Sequence, residues 1–303
     1  MTITRHDQAG EGATVLRDVV SIEPRFLRSV NLERDFYSDN PLDGYIPTPS
    51  ALTALGRLGA GVAAQYARAF TLTGSYGSGK SAFALFASRF LSNYGMSGLR
   101  ERISQLDPTV GAIFSTSEKG GFWPVLLTGA REPIGRALWL GLFRAMESIP
   151  SEEAHRTLDW MREHWKPLDA EQVPSARQIV ELYAAVTQKA RQEDQHCLGL
   201  LVIADELGKL LEFAALHPDQ GDLQVLQELA EHAVRSGENT LLFVTILHQG
   251  FEEYAVRLSA QQRTEWQKVQ GRFQDIPYGD GPEETMRLMA KAIHLKPHIH
   301  QYG

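Results

Sequence analysis

Two short stretches of the chain carry residue types at spacings that can do chemistry. In the first, Gly74-Ser75-Tyr76-Gly77-Ser78-Gly79-Lys80-Ser81, three glycines precede a lysine and a hydroxyl in the order glycine, four residues, glycine, lysine, serine. Such a run lets the backbone turn tightly and aim successive N–H groups inward. A helix starting near Lys80 adds the positive end of its dipole, so a polyphosphate is the natural occupant. In that role Gly74 to Ala82 line the phosphates, Lys80 reaches the β- and γ-phosphates, and the Ser81 hydroxyl completes a Mg²⁺ shell that otherwise keeps several waters. In the second stretch, Asp205-Glu206 follows the apolar run Leu198-Gly199-Leu200-Leu201-Val202-Ile203-Ala204. Asp205 can hold Mg²⁺ through water, and Glu206 can accept a proton from an attacking water.

Weaker candidates join them by position. His248 and Gln249 end the run Thr240–Leu247 and can orient the attacking water or touch the γ-phosphate, Gln249 being the first choice. Tyr45 and Ile46 precede a helix that leads into the loop strand, which makes them a candidate wall for the base. Packing at the domain edge explains them equally well. Arg131, at a strand exit, is expected to cap local carbonyls rather than meet phosphate, and Lys209 is expected to be solvated. His294, His298 and His300 lie near the end of the chain without a carboxylate framework and are expected to be solvated rather than to hold zinc.

These residues need strands and helices to place them. Apolar runs predict strands near 69–73, 123–128, 199–204 and 240–247, and alternation from Phe273 to Tyr278 predicts a fifth near 273–278, a short edge strand that tolerates Pro277. A helix is expected from Pro49 or Ser50 to about Ala67, with Leu52, Leu55, Leu58, Val62 and Tyr66 at helical spacing. Others are expected over the residues after Lys80, Gly98–Leu106, Ile134–Glu147, 151–165, 175–193, Leu210–Leu216, Leu223–Arg235, Phe251–Val269 and Thr285–His294. Right-handed crossovers between parallel strands then give an α/β fold, a three-layer αβα sandwich around a five-stranded, mostly parallel sheet with helical insertions. The domain plan is an N-terminal arm at 1–44, a core at 45–278 with added material at 95–121 and 151–195, and the start of a helical lid or a tail at 279–303.

Composition sets the bounds. The chain has 303 residues, 43% of them hydrophobic, enough for a large core. A formal net charge of −7 gives no bulk electrostatic case for nucleic acid or acidic membranes. Cys197 is the single cysteine, which excludes an intrachain disulfide framework and a cysteine-based zinc site. The polar amino terminus has no apolar core of a signal peptide, and runs such as Leu200–Ala204 fall far short of a membrane span. A cytoplasmic protein is expected.

The order of these features, with Glu206 directly after Asp205, a polar strand tip at His248-Gln249 and Arg272 just before the last strand, resembles the AAA+ class of P-loop NTPases and its STAND-like signalling relatives over about residues 45–290. The resemblance implies a Walker A motif at Gly74–Ser81, a Walker B motif at Leu201–Glu206, a first sensor near Gln249 and an arginine finger at Arg272. It also implies ATP and Mg²⁺ as cofactors, and a homo-oligomer or larger protein complex as the working state. The wording Ala-Asp-Glu-Leu-Gly-Lys and Lys268-Val-Gln-Gly-Arg-Phe, with that of the loop, is similar to large ATPases of bacterial anti-phage defence operons. In this sequence the interval between loop and acids is longer than a minimal core needs, and the residues end where the helical lid of the class would begin. Either the sequence is the amino-terminal part of a longer protein or the lid is truncated or absent. The expected function is Mg²⁺-dependent ATP hydrolysis that drives a conformational or assembly switch. The alternative is a nucleotide-bound scaffold that controls an effector protein with little hydrolysis, and a small-molecule kinase comes third.

Overall fold

Long apolar runs with no polar alternation fold here into strands buried on both faces. A computed structural model describes residues 19–23, 29–64, 67–92, 94, 98–115, 120–169, 172–218, 223–255 and 258–296, and the structural statements below refer to these. The strands are β1 (Val20–Ile22), β2 (Ala69–Thr73), β3 (Gly121–Thr128), β4 (Cys197–Asp205), β5 (Thr240–Leu247), β6 (Gln274–Pro277) and β7 (Ile293–Leu295). Five of them form a sheet in the order β3-β4-β5-β2-β6, in which each adjacent pair is parallel. The strand bearing the acids is therefore not beside the strand bearing the loop; β5 lies between them. Pro124 sits inside β3 rather than near its start, and it is tolerated because β3 is an edge strand with one unpaired side.

Alternate side chains of these strands enter two separate cores, one on each face. Val125, Leu127, Leu200, Val202, Leu241 and Phe243 point into one. Leu126, Leu201, Ile203, Leu242, Val244, Phe70 and Leu72 point into the other. Helices Ile134–Ser148, Glu152–His164, Ala176–Glu193, Leu207–Leu216, Gln224–Arg235 and Ala260–Gln270 contribute to the first core, and Pro49–Ala64, Lys80–Leu91, Leu99–Leu106 and Pro108–Ser115 to the second. This is the expected three-layer sandwich. Each fully buried Leu, Ile or Phe adds roughly 1.5–3 kcal/mol of transfer free energy.

Local chemistry decides several element ends. Thr48 accepts from the Ala51 N–H at 3.2 Å and Pro49 takes the first helical position, so the helix starts where the sequence indicates. Tyr66, expected on the same helix, lies outside the described residues. Within the added material at 95–121 a second helix, Pro108–Ser115, follows the one ending at Leu106, because Asp107 accepts from the Thr109 and Val110 N–H groups and Pro108 is pre-set for the first turn. The single helix expected over Phe251–Val269 is two, Phe251–Tyr254 and Ala260–Gln270. Ser259 and Gln262 form a reciprocal capping box that begins the second. The helix near Leu210 starts earlier, at Leu207, directly after Glu206.

The described chain divides into two compact units, 30–280 and the segments 1–29 with 281–303. In the smaller one the helix expected to reach His294 ends at Ala292. The next three residues pair as β7, antiparallel to β1, and put His294 3.2 Å from Glu23. His298 and His300, like the polar arm at 1–18, lie outside the described residues.

Candidate active site

The glycine run follows β2 and ends on the helix Lys80–Leu91, whose first residue is the lysine itself. Gly77 and Gly79 hold φ of 79° and 87°, where L side chains are strained, and a Cβ on either would meet nothing within 4 Å. They shape an open cradle rather than a packed turn. Gly74 is different: a Cβ there would lie 2.0 Å from the Tyr278 carbonyl oxygen, so the loop starts tight against the end of β6. Lys80 is buried, and its ammonium donates to the Gly74 and Ser75 carbonyls at 2.6 and 2.7 Å and to Ser78 Oγ at 3.3 Å. Burial lowers its pKa, and the charge of Asp205 opposes that shift. Ser75, Tyr76 and Gly79 are exposed along the rim, while Ser78, Ser81 and Ala82 are half-buried.

Asp205 comes to this loop from the far side of β5. It is 5% exposed, takes the Glu206 N–H on Oδ1 at 2.8 Å, and has the Ser81 hydroxyl near enough to favour its charged form. Desolvation raises its pKa; the Ser81 hydroxyl and the Glu206 N–H counter that, and His248 lowers it further by its charge. The Ser81 hydroxyl and the Asp205 carboxylate thus form an oxygen pair of the kind a hard cation takes, with the Lys80 ammonium alongside. The cradle, the buried lysine and this oxygen pair fit Mg²⁺ bound with a polyphosphate.

Glu206 stands at the next position in an unusual backbone state for a non-glycine residue, φ 51°, just before the helix Leu207–Leu216. Its carboxylate forms an ion pair with Lys209, a residue expected from the sequence to be solvated. Spacing of three residues across a helix start was the available signal. The pair is half open to solvent and holds only weakly.

At the tip of β5 the two candidates separate. Gln249, the first choice by sequence, is exposed, and His248 is the one placed toward the acids. The His248 ring lies 5.3 Å from that of Tyr76, and its Nδ1 is buried without a hydrogen-bond partner. Tyr254 lies near the His248 backbone and packs against Gly208, which sets the tip of β5 beside the helix after Glu206. Arg131 pairs with Glu212 at 3.3 Å rather than capping carbonyls. Arg272 lies just before β6, at the opposite end of the sheet from the loop, and pairs with Glu231 at 2.9 Å.

Tyr45 stacks on Phe86, ring centroids 4.9 Å apart, with Ile46 half-buried beside it in the chain. The same patch holds Tyr278 and Asp280, which the sequence reading passed over because a short edge strand followed by Gly-Asp-Gly reads only as a turn.

No protein-family model matches the sequence, and no curated protein is similar to it. Among solved structures, the ORC2 protein of Aeropyrum pernix, in its ADPNP-ADP complexes, is similar to this chain with 16% identity and a TM-score of 0.41. The similarity covers 87% of this chain and 57% of that one, so the sequence spans a little over half the length of that protein. A likeness of that degree assigns no residue a role.

Proposed function

We propose that the chain binds ATP with Mg²⁺ and hydrolyses it to drive a conformational or assembly switch, in the manner of AAA+-like ATPases. The observation that carries this reading is that buried Lys80, held on the loop carbonyls, and buried Asp205, at the end of β4, come close enough to feel each other's charge with Ser81 beside them, so that two motifs distant in sequence make one candidate phosphate and cation site. When bound, Mg²⁺ supplies charge neutralisation at the phosphoryl oxygens. The chain does the rest. Loop N–H groups and Lys80 hold the phosphates, Ser81 and Asp205 hold the cation, and Glu206 takes the proton of the attacking water. His248, at the tip of β5, orients that water. Arg272 is too far round the sheet to serve its own loop, so its part is in a neighbouring chain's site within an oligomer or larger complex. An anti-phage defence complex is the setting that the sequence resemblance suggests.

A second reading has one observation in its favour. The Lys209 ammonium engages the carboxylate that would act as base, which suits a nucleotide-bound scaffold with slow hydrolysis that controls an effector protein. Phosphate release from Mg-ATP, followed for the parent and for Glu206→Gln, separates the two. Hydrolysis by the proposed route predicts a loss on the order of 10²-fold or more in the variant with ATP affinity retained. Equal rates in the two proteins reject Glu206 as the base.

A further inference from the structure

We propose that Asp280 reads the base of the bound nucleotide by accepting a hydrogen bond from an N–H donor on its edge, such as the 6-amino group of adenine. The inference rests on the nucleotide-binding reading above and adds the residue that selects the base.

Three observations lead to it. Asp280 Oδ1 is buried and has no hydrogen-bond partner, and the Tyr45 hydroxyl close by is buried without one of good geometry. A buried carboxylate oxygen left unpaired is costly, and a ligand donor relieves it. Both tyrosines of the patch, Tyr45 and Tyr278, feel the Asp280 charge, which places the three groups together.

The patch is also fixed against the loop. The Tyr278 N–H donates to the Thr73 carbonyl at 2.7 Å, the Tyr278 carbonyl abuts Gly74, and Ser50 Oγ donates to the Gly279 carbonyl at 2.9 Å. Segments 45–50 and 278–280 therefore line the β6 flank of the loop. The cation-binding acid lies on the other flank, at the end of β4 beyond β5. A nucleoside triphosphate whose terminal phosphate sits at Asp205 runs along the loop toward β6. From β4 to β6 is three strand spacings, roughly 14 Å, enough to bring its base to Tyr45 and Asp280. There the Tyr45 hydroxyl offers a donor and Asp280 an acceptor, the complement of a purine edge that presents an acceptor next to an N–H.

The test is a set of calorimetric titrations of the parent and Asp280→Ala with ATP, GTP, purine riboside triphosphate and inorganic tripolyphosphate. Purine riboside triphosphate has no N–H on that edge. The parent should bind ATP, GTP or both more tightly than it, on the order of tenfold to a hundredfold. Asp280→Ala should abolish that gap and leave tripolyphosphate affinity unchanged; which nucleotide loses affinity identifies the base. Equal affinities of the parent for all three nucleotides, or a gap that survives in Asp280→Ala, overturn the role of Asp280 while leaving the phosphate site standing. A parent that binds neither nucleotides nor tripolyphosphate rejects the nucleotide reading and this one with it.

Discussion

The two ends of the central sheet both bury charge, but they hold it with different partners. At the carboxyl ends of β2, β4 and β5, buried Lys80 and Asp205 are held by loop carbonyls, the Ser78 hydroxyl and the Glu206 N–H, and both are pushed by burial toward their neutral forms. His248 keeps a buried nitrogen without a partner there. At the amino ends, buried Arg68 spends Nη1 on Ser236 Oγ at 2.8 Å and the Gly237 carbonyl at 2.6 Å while its Nε is buried without a partner, and Arg191 and Arg272 are engaged by the Glu238 carbonyl and by Glu231. The amino end ties its cations to acceptors from other elements of the fold. The other keeps charge in a low-dielectric place at some cost to the fold, as a site that must grip a charged ligand requires.

Arg272 is where this contrast can be broken most sharply, since it belongs by position to the structural end and by resemblance to the chemistry. Acting on a neighbour's phosphate, it should lower the rate on the order of 10³-fold when changed to Ala. Mixing Arg272→Ala chains with Lys80→Ala chains should then restore part of the activity, because an intact loop meets an intact arginine. An undiminished rate in Arg272→Ala leaves the residue as a surface partner of Glu231.

Stability should move in opposite directions at the two ends. Replacing Arg68 with Met strips charged hydrogen bonds from buried acceptors and should cost about 2 kcal/mol in urea unfolding, with nucleotide affinity kept. Asp205→Asn should do the reverse. Because the folded pKa of Asp205 is raised, the native state binds more protons than the unfolded one between the unfolded and folded values, and the parent loses stability as pH rises through that window. The neutral amide avoids that loss, so the variant should be more stable at pH 7, by less than Arg68→Met costs, and equal to the parent below the ordinary aspartate range. A destabilised Asp205→Asn at pH 7 contradicts the strained-site account.

The contrast also marks what can be read from a sequence. Apolar runs, and alternation in the last, announced all five strands of the sheet, and the glycine loop and acid pair announced Lys80, Ser81 and Asp205, because each depends on a few consecutive residues. The cap at Asp107-Pro108 and the capping box at Ser259-x-x-Gln262 are equally local, and the second splits a stretch whose apolar spacing alone reads as one helix. Arg272 with Glu231, Arg68 with Gly237, and Asp280 beside Tyr45 were beyond such reading. Each joins residues from different strands and helices, and only the packed sheet brings them together. The same holds for the choice between His248 and Gln249. Alternation along β5 fixes which residues enter the core, but the turn after it decides which one faces Asp205.

The central claim is that Lys80 and the loop around it hold phosphate. Calorimetric titration of Mg-ATP into the parent and Lys80→Ala tests it most directly. Loss of a buried cation that hydrogen-bonds phosphate predicts affinity weaker by about tenfold to a hundredfold or more in the variant, at a temperature where thermal unfolding shows both proteins folded. Equal affinities in the two proteins would contradict the account.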